Sequence, residues 1–311
     1  YEPLSYNNGA SWPFLTGFAA LALYAHGRPD AAWTYLDGTA DLTFLESRGF
    51  MAELFSGDRL RSVDAAVPHQ LFATTGFVST LLRGLVGIDA LPEGTVDGTV
   101  RPARLKLAPR LPAGWSSLTI RNLRWRDAVA DVKIAKDAGS LSIAVTPRRG
   151  VLPLELHAEL PPGAALVTRD ARWQAATPRA DAGRGLRLVQ VASVSSPTSF
   201  RVRHTPGIDV RPLHEPQRLG DVSSRLRVID ARMEGGTYRL RVEGRRGRAY
   251  RLELLTRLKI AQVSGANLVS SSGDTTVLEV SFPGQASAMP GRVLRRDDWA
   301  TTEIAVAVAG R

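Results

Sequence analysis

Trp12-Pro13-Phe14-Leu15-Thr16-Gly17-Phe18-Ala19-Ala20-Leu21-Ala22-Leu23-Tyr24-Ala25-His26-Gly27 is almost continuously apolar and small, and Phe14, Leu15, Phe18, Leu21, Ala22 and Leu23 cover every face of a helix. A helix with no polar stripe is one buried all round. Gly27 supplies a C-terminal stop, and Pro29 suits the first turn of the next helix. That second helix, predicted over about Pro29 to Ser47, differs in kind. Trp33, Leu36, Ala40 and Phe44 recur at spacings of three and four, while Asp37 and Asp41 share a polar face, so one side is wet. A third helix is predicted from near Pro68-His69, and Leu71, Phe72, Phe77, Val78, Leu81, Leu82, Leu85 and Val86 again leave little polar surface. The order buried, amphipathic, buried predicts alternating inner and outer helices of a barrel. In such a barrel the N-terminal ends of the inner helices share one mouth, so Trp12, ahead of one inner helix, should converge with Glu53 and His69, ahead of the next.

From about Leu91 the pattern changes. Pro92, Gly94, Gly98 and Pro102 read as a linker, and beyond them short alternating segments recur: 117–123, 128–134, 141–145, 154–160, 186–191 and 200–204. Turn residues separate them, as in a β-sandwich. A second break is predicted from Pro206 to Gly220, with Pro212 and Pro216, followed by strands near 225–229, 237–242, 250–255, 275–282 and 302–308. Glu234-Gly235-Gly236 reads as a hairpin turn. The predicted organisation is multidomain α and β: helices over 1–90, a β-sandwich domain over 91–212 and a second β-domain over 213–311.

Composition bounds the chemistry. The 311 residues are 44% hydrophobic and 23% charged, as in an ordinary folded protein. No stretch approaches the eighteen or so uninterrupted apolar residues of a membrane span, so the chain reads as soluble. The opening Tyr1-Glu2-Pro3-Leu4-Ser5 resembles neither a signal peptide nor a natural start, which predicts a processed or truncated chain. Zero Cys excludes disulfides, thiolate metal sites and a Cys nucleophile, and leaves cytoplasm and periplasm equally open. The net charge of +10 could suit phosphate binding, but the basic residues are scattered. Their densest runs, Arg245-Arg246-Gly247-Arg248 and Arg295-Arg296, lie beside Glu243, Asp297 and Asp298, the pattern of a solvated surface. Nucleic acid is therefore not expected as a partner.

Two motifs carry the chemistry. Tyr6-Asn7-Asn8-Gly9-Ala10-Ser11-Trp12-Pro13 precedes the first helix, and Gly49-Phe50-Met51-Ala52-Glu53-Leu54-Phe55-Ser56-Gly57 holds one carboxylate in an apolar, Gly-punctuated loop. With Val67-Pro68-His69-Gln70-Leu71-Phe72 ahead of the third helix, they resemble the end of the catalytic barrel of six-hairpin (α/α)6 glycoside hydrolases, especially the amylo-α-1,6-glucosidase or glycogen-debranching group. The resemblance covers about residues 1–90 and extends weakly to Leu107 through Trp115, at the start of a trailing β-sandwich. This sequence departs from the group at Asn7, where His is usual, and at Phe14-Leu15, where His-Asp follows Trp-Pro. Trehalase-like, rhamnosidase-like and oligosaccharide-trimming barrels stay open.

The resemblance implies hydrolysis of an α-linked glucan or related oligosaccharide without a cofactor. Inversion uses two carboxyl groups, roughly 6.5–9.5 Å apart, one protonating the leaving oxygen and one activating water. By resemblance Glu53 is the general base, with Asp58 the runner-up. An apolar loop is also a setting where burial can tune a carboxylate. Trp12 could offer an indole face to a pyranose or simply pack at a helix start. Tyr6, Asn7, Asn8, His69 and Gln70 complete the candidate sugar contacts, with turn formation and helix capping the competing readings for Asn7, Asn8 and His69. The partner acid comes from the earlier half of such barrels, and three helices cannot close six hairpins. The sequence thus predicts the C-terminal part of a longer enzyme, whose missing N-terminal part would be its partner. The competing expectation is a silent carbohydrate-binding or assembly module.

Overall fold

The structure, a computed structural model, describes residues 2–45, 48–96, 99–112, 114–137, 139–170, 173–176, 184–213, 225–285 and 298–309. Ser47, Gly98, the Arg295-Arg296 run and the second break beyond residue 213 lie outside them. The chain divides into two compact units, Tyr1–Ala158 with Arg169–Gln174 and Leu188–Val202, and Glu159–Thr168 with Ala175–Arg187 and Arg203–Arg311.

The first unit opens with three helices, α1 Pro13–Ala25, α2 Pro29–Leu42 and α3 Leu71–Ser79, the last continuing into a π-helical segment over Thr80–Val86. Proline occupies the first turn of α1 and α2, where its missing N–H costs nothing. The π-helical segment ends at Gly87, whose φ of 72° is left-handed. A Cβ on Gly87 would lie 1.9 Å from the Ala108 carbonyl oxygen, so close backbone approach demands glycine there as well. Helices α1 and α3 touch backbone to backbone: a Cβ on Gly17 would stand 2.5 Å from the carbonyl oxygen of Gly76. At the same crossing the Thr80 hydroxyl bonds the carbonyls of Gly17, 2.8 Å, and Gly76, 2.7 Å.

The helices differ from the sequence expectation in two respects: α2 stops at Leu42, leaving Phe44, expected on its buried side, 70% exposed beyond its end, and α1 and α3 are open on one side. Pro13, Gly17, Ala20 and Tyr24 of α1 are buried, but Leu15 and Phe18 are 53% and 58% exposed. With Ala19, Ala22 and Ala25 they make an exposed apolar stripe, so α1 is not covered all round. Helix α3 and its continuation expose Leu71, Val78 and Leu82 in the same way. The exposed stripe of α2, by contrast, is Thr34, Asp37, Gly38 and Asp41. Only α2 shows water the side its sequence reserved for water.

Strands follow. In chain order they are β1 Ile88–Leu91, β2 Gly94–Val96, β3 Thr99–Arg101, β4 Arg104–Leu107, β5 Ser117–Trp125, β6 Ala128–Asp137, β7 Ser140–Arg149, β8 Leu152–Leu160, β9 Leu166–Arg169, β10 Gln174–Ala175, β11 Leu186–Val194 and β12 Thr198–His204. One sheet takes the order β1-β4-β8-β11 and another β5-β6-β7-β12. The stretch read as a linker is thus an excursion between paired strands. β1 lies antiparallel to β4, with Ile88 opposite Leu107, and β2 and β3 form a hairpin between them. Short strands of three or four residues, separated by Pro92 and Pro102, carry too little alternation to be seen in sequence. Longer strands obey their period of two: Ala128, Ala130, Val132 and Ile134 of β6 are buried, as are Leu152, Leu154, Leu156, Ala158 and Leu160 of β8. Between β4 and β8, Arg104 Nε donates to Glu155 at 2.8 Å, and His157 Nε2 sits 2.9 Å from the other oxygen of that carboxylate.

The second unit contains β13 Ile208–Pro212, β14 Arg227–Glu234, β15 Thr237–Arg245, β16 Arg248–Thr256, β17 Ile260–Ser264, β18 Asn267–Ser272, β19 Thr275–Phe282 and β20 Trp299–Val308. Two sheets, β13-β16-β19-β18 and β14-β15-β20-β17, share one core of Val210, Tyr238, Leu240, Val242, Leu252, Leu254, Leu278, Val280, Phe282, Ile304 and Val306. Strand β13 falls where the sequence suggested a break. Its Pro212 is tolerated because β13 is an edge strand at the end of its sheet. Gly235 and Gly236, with φ of 53° and 81°, turn β14 into β15 with Glu234 opposite Thr237, as the dipeptide predicts. Mostly β-sheet after a short helical opening, the chain matches the expectation of β-sandwich-like architecture.

Candidate active site

The segment ahead of α1 folds as a tight loop over residues 2–10. Ser5 N–H donates to the Glu2 carbonyl at 2.9 Å, and Ala10 N–H to the Ser5 carbonyl at 3.1 Å. The loop is fastened to the Glu53 segment: Ser11 and Phe55 exchange backbone hydrogen bonds of 2.7 and 3.0 Å, and Gly57 N–H reaches the Pro3 carbonyl at 3.0 Å. The Glu53 segment in turn pairs with the approach to α3. Glu53 N–H donates to the Val67 carbonyl, and Gln70 N–H to the Met51 carbonyl, each at 2.9 Å. Met51, Ala52 and Phe55 then bury against Ala73 of α3. Apolar residues flanking the carboxylate are what anchor this segment, which is why an acidic residue can end up inside.

Glu53 is 7% exposed. The Tyr6 hydroxyl donates to its Oε1 at 2.6 Å, and the Val67 N–H donates to its Oε2 at 3.3 Å. The Tyr6 ring meets Trp12 edge-on, centroids 5.4 Å apart at 88°. The hydrogen bond to Glu53, with some burial and the neighbouring negative charge, raises the Tyr6 phenol above its usual ionisation range. Tyr6, with Trp12 against its ring, is therefore joined to Glu53, 47 residues further along the chain.

The remaining sequence candidates fall around this group or away from it. Asn7 and Asn8 are exposed on the 2–10 loop. Gln70 caps the start of α3 through its backbone, and His69 beside it is exposed and stacked on Phe50 at 4.6 Å and 28°. Asp58 is turned to other partners: it accepts from the Ser56 hydroxyl and pairs with Arg59 at 3.2 Å. Those two partners hold its carboxyl below the usual range, Ser56 contributing most. Two participants were not singled out in the sequence, the Val67 N–H and Phe50. A backbone donor leaves no side-chain signature, whereas Phe50 stood in the quoted motif. Among the described residues no group of three His, Asp or Glu side chains is placed to hold a metal ion. Nor is any helix long and apolar enough to cross a membrane.

Residues 99–159 match the family model of the glycosyl hydrolase family 65 C-terminal domain. This segment, from β3 through most of β8, is where the chain is similar to a glycosyl hydrolase domain, one that is non-catalytic by itself. No curated protein matches the chain, and no solved structure does.

Proposed function

We propose that the chain carries the base-bearing side of a glycosidase site. It would act on an α-linked glucan or related oligosaccharide by inverting acid/base hydrolysis. In this reading residues 1–90 are the C-terminal portion of an (α/α)6 catalytic barrel, 91–212 its trailing β-sandwich and 213–311 a second β-domain. The observation that carries it is the buried Glu53 carboxylate, held beside Tyr6 and Trp12 at the N-terminal ends of α1 and α3. The glycosyl hydrolase match immediately downstream supports it. Glu53 takes a proton from water as the water oxygen attacks the anomeric carbon from the face opposite the leaving group. A second carboxylic acid protonates the departing oxygen.

That acid is assigned to an upstream part of the enzyme. The apolar stripes of α1 and α3, beside the polar stripe of α2, suit inner helices that pack against further helices. The Trp12 indole, Asn7, Asn8, His69 and Gln70 would contact sugar. Replacing Glu53 by Gln in the intact enzyme should abolish sugar release from α-linked oligosaccharides without loss of fold; sustained turnover excludes Glu53 as base. A second reading has an observation of its own. The nearby Asp58 is committed to Ser56 and Arg59, leaving Glu53 without an acid partner from its own loop. A non-catalytic carbohydrate-binding or assembly module would then bind glycan and release no sugar.

A further inference from the structure

Tyr6 belongs to the motif read as sugar-contacting, yet its hydroxyl is engaged elsewhere. The 2–10 loop that carries it is built for fixed placement. Gly9 packs so tightly on Glu2 that a Cβ would lie 2.0 Å from the Glu2 carbonyl oxygen. Both ends of the loop are tied to the Glu53 segment, through Pro3 to Gly57 and through Ser11 to Phe55. The Trp12 edge contact limits the Tyr6 ring from the side.

A carboxylate can rotate about its last carbon–carbon bond, and a general base needs one lone pair aimed at the water it deprotonates. On Glu53 the two oxygens are each taken by a different donor, the Tyr6 hydroxyl at 2.6 Å and the Val67 N–H at 3.3 Å. Two donors on two oxygens fix that rotation. We infer that Tyr6 is a positioning residue: its hydroxyl, opposite the Val67 N–H, sets the plane of the Glu53 carboxylate and leaves the remaining lone pairs for water. This rests on the reading of Glu53 as base. It also changes what Tyr6 can offer substrate, because its one O–H is spent on Glu53 and only its oxygen lone pairs remain.

Tyr6→Phe removes the hydroxyl and keeps the ring against Trp12. In the intact enzyme acting on maltotriose or isomaltotriose, kcat should fall by about tenfold or more with KM changed by less than about twofold, the mark of a group that acts on the chemical step. A raised KM at constant kcat would make Tyr6 a sugar contact and overturn the inference, as would wild-type kinetics. A readout independent of turnover separates this from the broader reading. With glutamate labelled at the carboxylate carbon, the Glu53 signal, identified by its loss in Glu53→Gln, should move in the Tyr6→Phe protein at neutral pH. An unmoved signal overturns the positioning role alone, whereas a fully active Glu53→Gln enzyme overturns the base assignment and the inference with it. Unchanged near-ultraviolet circular dichroism controls for folding.

Discussion

Gly17 and Gly76 bring α1 and α3 into direct backbone contact, and no side chain fits between them: a Cβ on Gly76 would lie 2.8 Å from Phe14 Cα. Because Trp12 leads into α1 and Gln70 into α3, this crossing sets the spacing between the two halves of the candidate site. Gly17→Ala should therefore destabilise the chain by about 2 kcal/mol, the scale of overpacking where backbone must shift. Thermal or denaturant unfolding measures it. A gain in stability, as expected for alanine at an open helical position, would contradict the close packing.

Glu53→Gln keeps the volume of the side chain and removes its basicity. The loss of turnover expected for a general base is about a hundredfold or more. The amide oxygen can still accept from Val67 N–H, and its NH2 can donate to the Tyr6 hydroxyl, which turns to accept, so the unfolding midpoint should stay near that of the parent. A large drop in stability with proportionate loss of activity would point to a structural carboxylate instead.

The Tyr6 phenol is raised above its ordinary value of 10.0, chiefly by its hydrogen bond to Glu53. A raised folded-state value means the protonated form is favoured by folding. The contribution is complete below the unfolded value and is lost as pH climbs through the folded one. Ultraviolet titration should find Tyr6 ionising late together with Tyr24, which burial raises as well, and Glu53→Gln should move only the Tyr6 step down towards the ordinary range.

Arg104, Glu155 and His157 form a largely shielded group, with side chains 7%, 15% and 13% exposed. Burial alone would raise the Glu155 carboxyl, but hydrogen bonds from His157 and Arg104 outweigh it and hold the group below its usual value. Its stabilising effect is present above the unfolded carboxylate range and disappears as pH falls through the lower folded value. Glu155→Gln leaves Arg104 without its ionic partner and should cost about 3 kcal/mol in denaturant unfolding at neutral pH. The deficit should narrow in acid, where the native carboxylate is also lost.

Leu15→Glu combined with Phe18→Glu interrupts the exposed apolar stripe of α1. Binding of the fluorophore ANS to the chain should fall, because that dye reports accessible apolar surface. Unaltered dye binding would show that the stripe is already covered in solution.

Much of the β architecture was legible because burial on one face imposes a period of two. Leu240 and Val242, or Val280 and Phe282, announce their strands without help from the rest of the chain. Strands such as Ile88–Leu91 and Ile208–Pro212 were not legible. Each draws its order from a partner distant in sequence, β4 for the first and β16 for the second. At the site, Glu53 and Trp12 could be picked out by motif, whereas the ties between them could not. Asp58 and Glu53 look alike as acidic residues of one loop. Only folding gives one to Ser56 and Arg59 and the other to Tyr6 and Val67.

The sequence by itself determined which residues avoid water and with what period, since side-chain chemistry and spacing are written locally. It thereby separated a helical opening from a long β remainder and placed the Gly235-Gly236 turn. Tertiary structure alone decided that α1 and α3, apolar on nearly every face, each leave one stripe exposed. It also turned the Tyr6 hydroxyl onto Glu53 rather than outward. Those outcomes depend on backbone approach at Gly17 and Gly76 and on hydrogen bonds across loops, which join residues that share no local pattern.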